Sequence, residues 1–226
     1  MSALTAPWVR TLLMNTLTYP SGMEETRPVA MSDEGSNWAA ELSADVRAAT
    51  RGDGEAYSRI IGRYQQTIAR RMHRFTRDPA AIEELVHDVF VEAYFGLNKY
   101  RGDAPLEHWL QRIATRVGYK YWEQKKRLKT VSYEEGLHEP MMAENAAADE
   151  ATEEVEAALE KLPPRDRLVL TLLYLESRSV AEAADLAGWS QTMVKVQAYR
   201  ARAKLRKLIE ATNAAEIRKG ESHGRD

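Results

Sequence analysis

Apolar residues return every third or fourth position through the middle of this chain, the spacing that lines one face of an α-helix. The first run is Trp38, Leu42, Val46 and Ala49, broken at Gly52–Gly54. A second carries Ala56, Ile60, Ile61, Tyr64, Ile68, Met72 and Phe75 on one side. Asp78 and Pro79 then supply an N-cap and a first-turn proline. The helix they predict has the stripe Ile82, Leu85, Val86, Val89, Phe90, Ala93, Tyr94 and Leu97. Asp103 and Pro105 open a fourth, with Leu106, Trp109, Leu110, Ile113, Ala114, Val117 and Tyr121 facing inward. Amphipathic helices joined by short loops predict a four-helix domain.

After a polar stretch containing Gly136 and Pro140, the helical pattern resumes with Val155, Leu159 and Leu162 ahead of Pro163–Pro164, then Leu168, Leu172, Leu173 and Leu175. Ser179 and Glu182 have the spacing of a capping box, in which the hydroxyl and the carboxylate each satisfy a free backbone amide. Val180, Ala183, Ala184 and Ala187 form a small apolar face, and Gly188 suits a left-handed turn. Ser190 can cap a second helix that buries Val194, Ala198 and Ala201. This is a helix-turn-helix pattern. The expected fold is all-α, with two small helical domains joined by a flexible acidic linker. Its parts are a disordered extension (1–36), a four-helix domain (37–129), the linker (130–152), a helix-turn-helix domain (153–210) and a flexible tail (211–226). Met23 and Met31 are alternative internal starts.

The near-neutral net charge of −2 hides strong segregation. Between Arg112 and Lys129 stand seven basic residues against Glu123 alone, and residues 130–160 hold ten acidic residues and no Lys or Arg. Lys195, Arg200, Arg202, Lys204, Arg206 and Lys207 then follow with no acid among them. Helices so densely basic need solvent or an anion, and duplex DNA is the obvious one. Two basic patches on an acidic tether suit two contacts on one nucleic acid better than they suit an enzyme. No apolar run approaches a membrane span, and Thr11–Leu17 is too short and polar for a secretory signal. Zero cysteines exclude disulfides, thiolate metal sites and Cys nucleophiles, and fit a reducing cytoplasm.

Candidate chemistry gathers at three places. Glu83, Glu84, His87, Asp88 and Glu92 form the polar face of the third helix, suited to a basic partner helix. Tyr100, Trp109, Tyr119, Tyr121 and Trp122 interleave with Lys99, Arg101, Arg112, Arg116 and Lys120, a composition suited to stacking on unpaired bases while holding phosphates. Tyr100, Tyr119 and Trp122 lie off the apolar stripe and are the stacking candidates; Tyr100–Ala104 could form a pocket for an extruded base. The helix-turn-helix leaves Gln191, Lys195, Gln197, Tyr199, Arg200 and Arg202 on its outer face, with Gln and Arg fitted to base edges and Lys to phosphates. Glu84 and His87 have metal-ligand spacing but point off the core and lack a second inward pair, so neither a metal site nor a cofactor is expected.

Residues 78–103 (DPAAIEELVHDVFVEAYFGLNKYRGD), then His108 to Ala114, resemble region 2 of extracytoplasmic-function sigma factors. Leu162-Pro163-Pro164-Arg165-Asp166-Arg167, with Val194-Lys195 and Tyr199-Arg200-Ala201-Arg202, resembles their region 4. The likeness spans roughly residues 38–208. It implies a dissociable initiation subunit of bacterial RNA polymerase, with no catalysis of its own. Glu84, Leu85, His87, Asp88 and Phe90 would then lie on the helix that grips the core enzyme. Tyr100, Arg101 and Asp103 would shape the loop receiving a flipped base of the −10 element, with Arg112, Arg116, Tyr119 and Lys120 along the strand. Gln191, Lys195, Gln197, Tyr199, Arg200 and Arg202 would serve the −35 duplex. The acidic linker would run along the nucleic-acid channel of the polymerase, and an anti-sigma factor is the further partner implied.

This chain departs from the family pattern at Thr192-Met193, usually Gly-Thr, and at Val196-Gln197, usually Ser-Arg. Loss of an Arg there removes a guanine contact worth roughly 1–3 kcal/mol of discrimination. The rival readings are a helix-turn-helix regulator acting on duplex DNA without core polymerase, and a metal-dependent bundle using Glu84 and His87.

Overall fold

A computed structural model describes residues 33–134, 155 and 157–223, with side chains over 39–128, 155 and 157–212. Every regular element among them is helical. The described residues form two compact units, one ending at Tyr121 and the other beginning at Trp122. None of their helices is long and apolar enough to cross a membrane.

The first unit is built from α1 (Asp33–Thr50), α2 (Gly54–Met72), α3 (Pro79–Gly96) and the greater part of α4 (Leu106–Glu134). Local chemistry sets the boundaries. Gly52 turns at φ +95°, and Asp53 then caps α2, its Oδ1 accepting from the amides of Glu55 (3.0 Å) and Ala56 (3.1 Å). Asp78 caps α3 through the amide of Ala80 (3.0 Å), with Pro79 in the first turn. Asp103 does not do the same for α4. That helix starts at Leu106, and the Pro105 carbonyl accepts from the amides of His108 and Trp109, leaving Asp103 exposed in the preceding turn.

The stripes meet as the spacing predicts. Ile60, Ile68, Met72, Val89 and Leu110 are at most 1% exposed, and burying each such side chain contributes about 1.5–3 kcal/mol. Tyr94 departs from its stripe and is 43% exposed. Gly118 marks the tightest approach, because a Cβ there would lie 2.4 Å from Phe75 Cγ.

The second unit contains α5 (Pro164–Leu170), α6 (Val180–Ala187) and α7 (Gln191–His223). Rather than running on to Leu175, α5 ends at Leu170 and passes into a wider turn over Thr171–Leu175, closed by the Glu176 amide on the Thr171 carbonyl (3.0 Å). Both halves of the capping box are made at α6: Ser179 Oγ accepts from the Glu182 amide, and Glu182 Oε2 from the Ser179 amide. Gly188 adopts φ +70°, and Ser190 Oγ accepts from the Met193 amide at the start of α7. The small face of α6 consists of Ala183, Ala184 and Leu186, while Val180 and Ala187 are half-buried. Against it lie Val194, Ala198 and Ala201, none more than 1% exposed.

Several expected boundaries move. α1 begins inside the segment expected to be disordered, α4 passes residue 129, and α7 continues through residue 210 into the expected tail. Residues 1–32 and nearly all of the acidic linker lie outside the described residues.

Candidate nucleic-acid interface

On α3 the helical period separates the five expected docking residues. Glu84, His87 and Asp88 are exposed, but Leu85 and Phe90 are each 5% exposed and belong to the core. The Phe90 carbonyl also accepts the buried Tyr57 hydroxyl. Burial first, then Tyr94, raises that phenol to about 12. Leu85 and Phe90 therefore hold α3 in place and leave contact to their neighbours. The exposed face continues instead through Val91 (39%), Tyr94 (43%) and Phe95 (75%). The apolar stripe gives no sign of Phe95, which sits on the opposite, polar side of the helix in line with Glu84 and Asp88.

The turn between α3 and α4 is bridged by the Tyr100 hydroxyl, which donates to the Ala104 carbonyl across 2.7 Å. The Tyr100 ring tilts against Trp109 at 5.4 Å, and Gly102 takes φ +79° to let the chain reverse. Burial, then the nearby Asp103 carboxylate, raises the Tyr100 hydroxyl above its ordinary value, so it stays a neutral donor. Arg101 and Asp103 stand outward at the tip.

Along α4, Arg112, Arg116 and Lys120 are exposed and Tyr119 is half-buried. Arg116 and Lys120 share one acid of α3. Glu92 Oε2 accepts from Arg116 Nη2 (3.0 Å) and Oε1 from Lys120 Nζ (2.7 Å). Burial pushes the Glu92 carboxyl up, but the bonds from Lys120 and Arg116 outweigh it and hold the group below its ordinary value. Trp122, a stacking candidate on sequence grounds, is only 4% exposed, with the Arg167 guanidinium 4.1 Å over its ring.

The outer face of α7 is narrower than expected. Gln191, Lys195, Tyr199 and Arg200 are exposed on it. Gln197 is not: its Nε2 donates to Asp166 Oδ1 (2.6 Å), while Lys204 Nζ donates to Oδ2 of the same carboxylate (2.6 Å). Arg202 is turned aside as well, Nη1 donating to the Tyr174 hydroxyl (2.9 Å). Both side chains fasten α7 to the α5 segment, a role that residue type could not distinguish from base reading. Asp166, 1% exposed, is the organising group, and its place after Pro163–Pro164 was the available signal.

Comparison with known proteins identifies the modules that carry these faces. Residues 60–128 match the family model described as Sigma-70 region 2, and residues 152–205 match that described as Sigma-70, region 4. In chain order, the two matches cover more than half of the chain. Over 169 residues the chain is 27% identical to the ECF RNA polymerase sigma-E factor of Escherichia coli (strain K12), covering 70% of this chain and 88% of that one. Over 177 residues it is 25% identical to the RNA polymerase sigma-H factor of Pseudomonas aeruginosa, covering 73% and 92%. Among solved structures it is similar to the sigma factor RpoE of Bartonella quintana, determined with the anti-sigma factor NepR. That match has 20% identity and a TM-score of 0.49, and covers 68% of this chain and 96% of that one. With both regions present in order and curated relatives matched over most of their length, the chain belongs to the sigma-70 family, as a sigma factor of the extracytoplasmic-function type.

Proposed function

We propose that this sigma factor binds core RNA polymerase through the exposed face of α3 and directs it to promoters by holding DNA at two places. Glu84, His87 and Asp88, continued by Val91 and Phe95, form the docking face. Tyr100, Arg101 and Asp103 receive the unpaired −10 strand, and Arg112, Arg116, Tyr119 and Lys120 follow its phosphates. Gln191, Lys195, Tyr199 and Arg200 engage the −35 duplex. The observation that carries this reading is the pair of cationic faces, on α4 and α7, in two sigma-type modules of one chain. Gripping the unpaired strand more tightly than the duplex shifts the equilibrium towards the open promoter, so initiation is favoured without chemistry by the protein itself. An anti-sigma factor is proposed as regulator on family grounds, and the cytoplasm as the place of action. The region 2 match favours this reading over a regulator acting on duplex DNA alone.

The test is transcription in vitro from a genomic library with purified core enzyme. Adding the chain is expected to produce discrete start sites that share upstream elements. Unselective initiation, or duplex binding indifferent to core enzyme, would sink the proposal.

A further inference from the structure

The outward midline of α7 is not the polar surface that its basic composition suggests. Thr192, Val196, Tyr199 and Ala203 are all exposed, Val196 by 46% and Tyr199 by 61%. At 3.6 residues per turn they fall within about 40° of one line along the helix. The buried residues Val194, Ala198, Ala201 and Leu205 lie on the opposite side. Cations border the line: Lys195 and Arg206 on one edge, Arg200 and Lys207 on the other, all exposed. Gln197 and Arg202 project well off that line, about 130° and 90° round the helix, where they bond Asp166 and Tyr174.

An apolar ridge between two cationic rails has the polarity profile of a major groove turned inside out. The phosphate rows of a duplex lie on either side of the groove, and the only apolar group its floor presents is the C5 methyl of thymine. An apolar protein partner would match the ridge but not the rails.

We propose that α7 selects its duplex through thymine methyl groups. Val196 is the principal contact, Thr192 and Tyr199 flank it, and the bordering cations fix register on the two phosphate rows. Val196 lies in the second turn of α7, within the N-terminal part that a recognition helix inserts into the groove. The inference rests on the proposed DNA-binding role of α7 and adds the base class it recognises.

The experiment uses the full-length chain assembled with core polymerase. Duplexes are selected from a pool randomised across the −35 region. Each thymine of a selected duplex is then replaced singly by deoxyuridine, which removes the methyl and leaves the pairing edge intact. Loss of one buried methyl is expected to weaken binding roughly threefold to fivefold at one or two adjacent positions. In Val196→Ala, or in Val196→Ser, thymine and deoxyuridine duplexes should bind alike at those positions, with the salt dependence unchanged. Equal wild-type affinity for both bases throughout the region would overturn the proposal and leave the ridge to a protein partner. If no duplex is selected although core enzyme still associates, the DNA-binding role of α7 itself falls.

Discussion

Gln197 donates to Asp166 across 2.6 Å, and that bond commits a side chain suited to base reading to holding α7 against the α5 segment. The other carboxylate oxygen receives Lys204 at the same distance, and the group is buried. In Asp166→Asn one of the two donors must meet an amide N–H. The expected cost is about 1.5–3 kcal/mol, measured as a lower denaturation midpoint of the full chain. An unchanged midpoint would show that the bonds are incidental.

Glu92 is an internal competitor for phosphate, because its two partners, Arg116 and Lys120, are the cations proposed to follow the melted strand. Glu92→Gln should tighten binding of a single-stranded −10 oligonucleotide several-fold and steepen its salt dependence by roughly 0.7 units per released cation. Identical anisotropy titrations for the two proteins would refute the competition.

The same acid has a pH signature with a definite sign. A carboxyl held below its unfolded value stabilises the fold above that value, and the contribution disappears as pH falls through the folded one. The pairing is thus fully present above the ordinary Glu value of 4.5 and lost on stronger acidification. The stability difference between wild type and Glu92→Gln should be constant near neutrality and shrink below that pH. Denaturation series at several pH values showing the opposite trend would contradict the ion-pair geometry.

Gly118→Ala sets helix propensity against space. Alanine gains about 1 kcal/mol in a helix, but its Cβ would fall 2.4 Å from the buried Phe75 ring. Overpacking of that kind costs about 1–3 kcal/mol, so the melting temperature should fall, with partial recovery in Gly118→Ala/Phe75→Leu. A rise in melting temperature would show that the ring moves freely.

Lys195→Ala/Arg200→Ala should weaken duplex binding by holoenzyme and lower its salt slope by roughly 2, since each phosphate left unneutralised removes about one unit. Glu84→Lys/Asp88→Lys should abolish co-purification with core polymerase while circular dichroism stays unchanged, since both side chains are exposed. Normal assembly of the second variant would place the docking face elsewhere.

Much of the helical framework could be read from residue order because its causes are local. Asp53, Asp78 and Ser179 cap their helices through amides no more than three residues away. The i, i+3, i+4 stripes needed only a partner surface to become core. The two basic stretches and the acidic run between them are likewise properties of the linear chain, and with the two motifs they identified the family.

The fate of individual polar and aromatic side chains depended on residues distant in sequence. Gln197 and Arg202 share the basic, helical context of Lys195 and Arg200, yet Asp166 and Tyr174, 31 and 28 residues away, hold them to the scaffold. Glu92 engages Arg116 and Lys120, 24 and 28 residues on. Periodicity says which side of a helix a residue occupies, but not which group will arrive there when the helices pack. Short-range hydrogen bonding and hydrophobic spacing sufficed for the framework; which polar side chains stay on the exposed faces was decided only by long-range pairing, as of Gln197 with Asp166 and of Glu92 with Arg116 and Lys120.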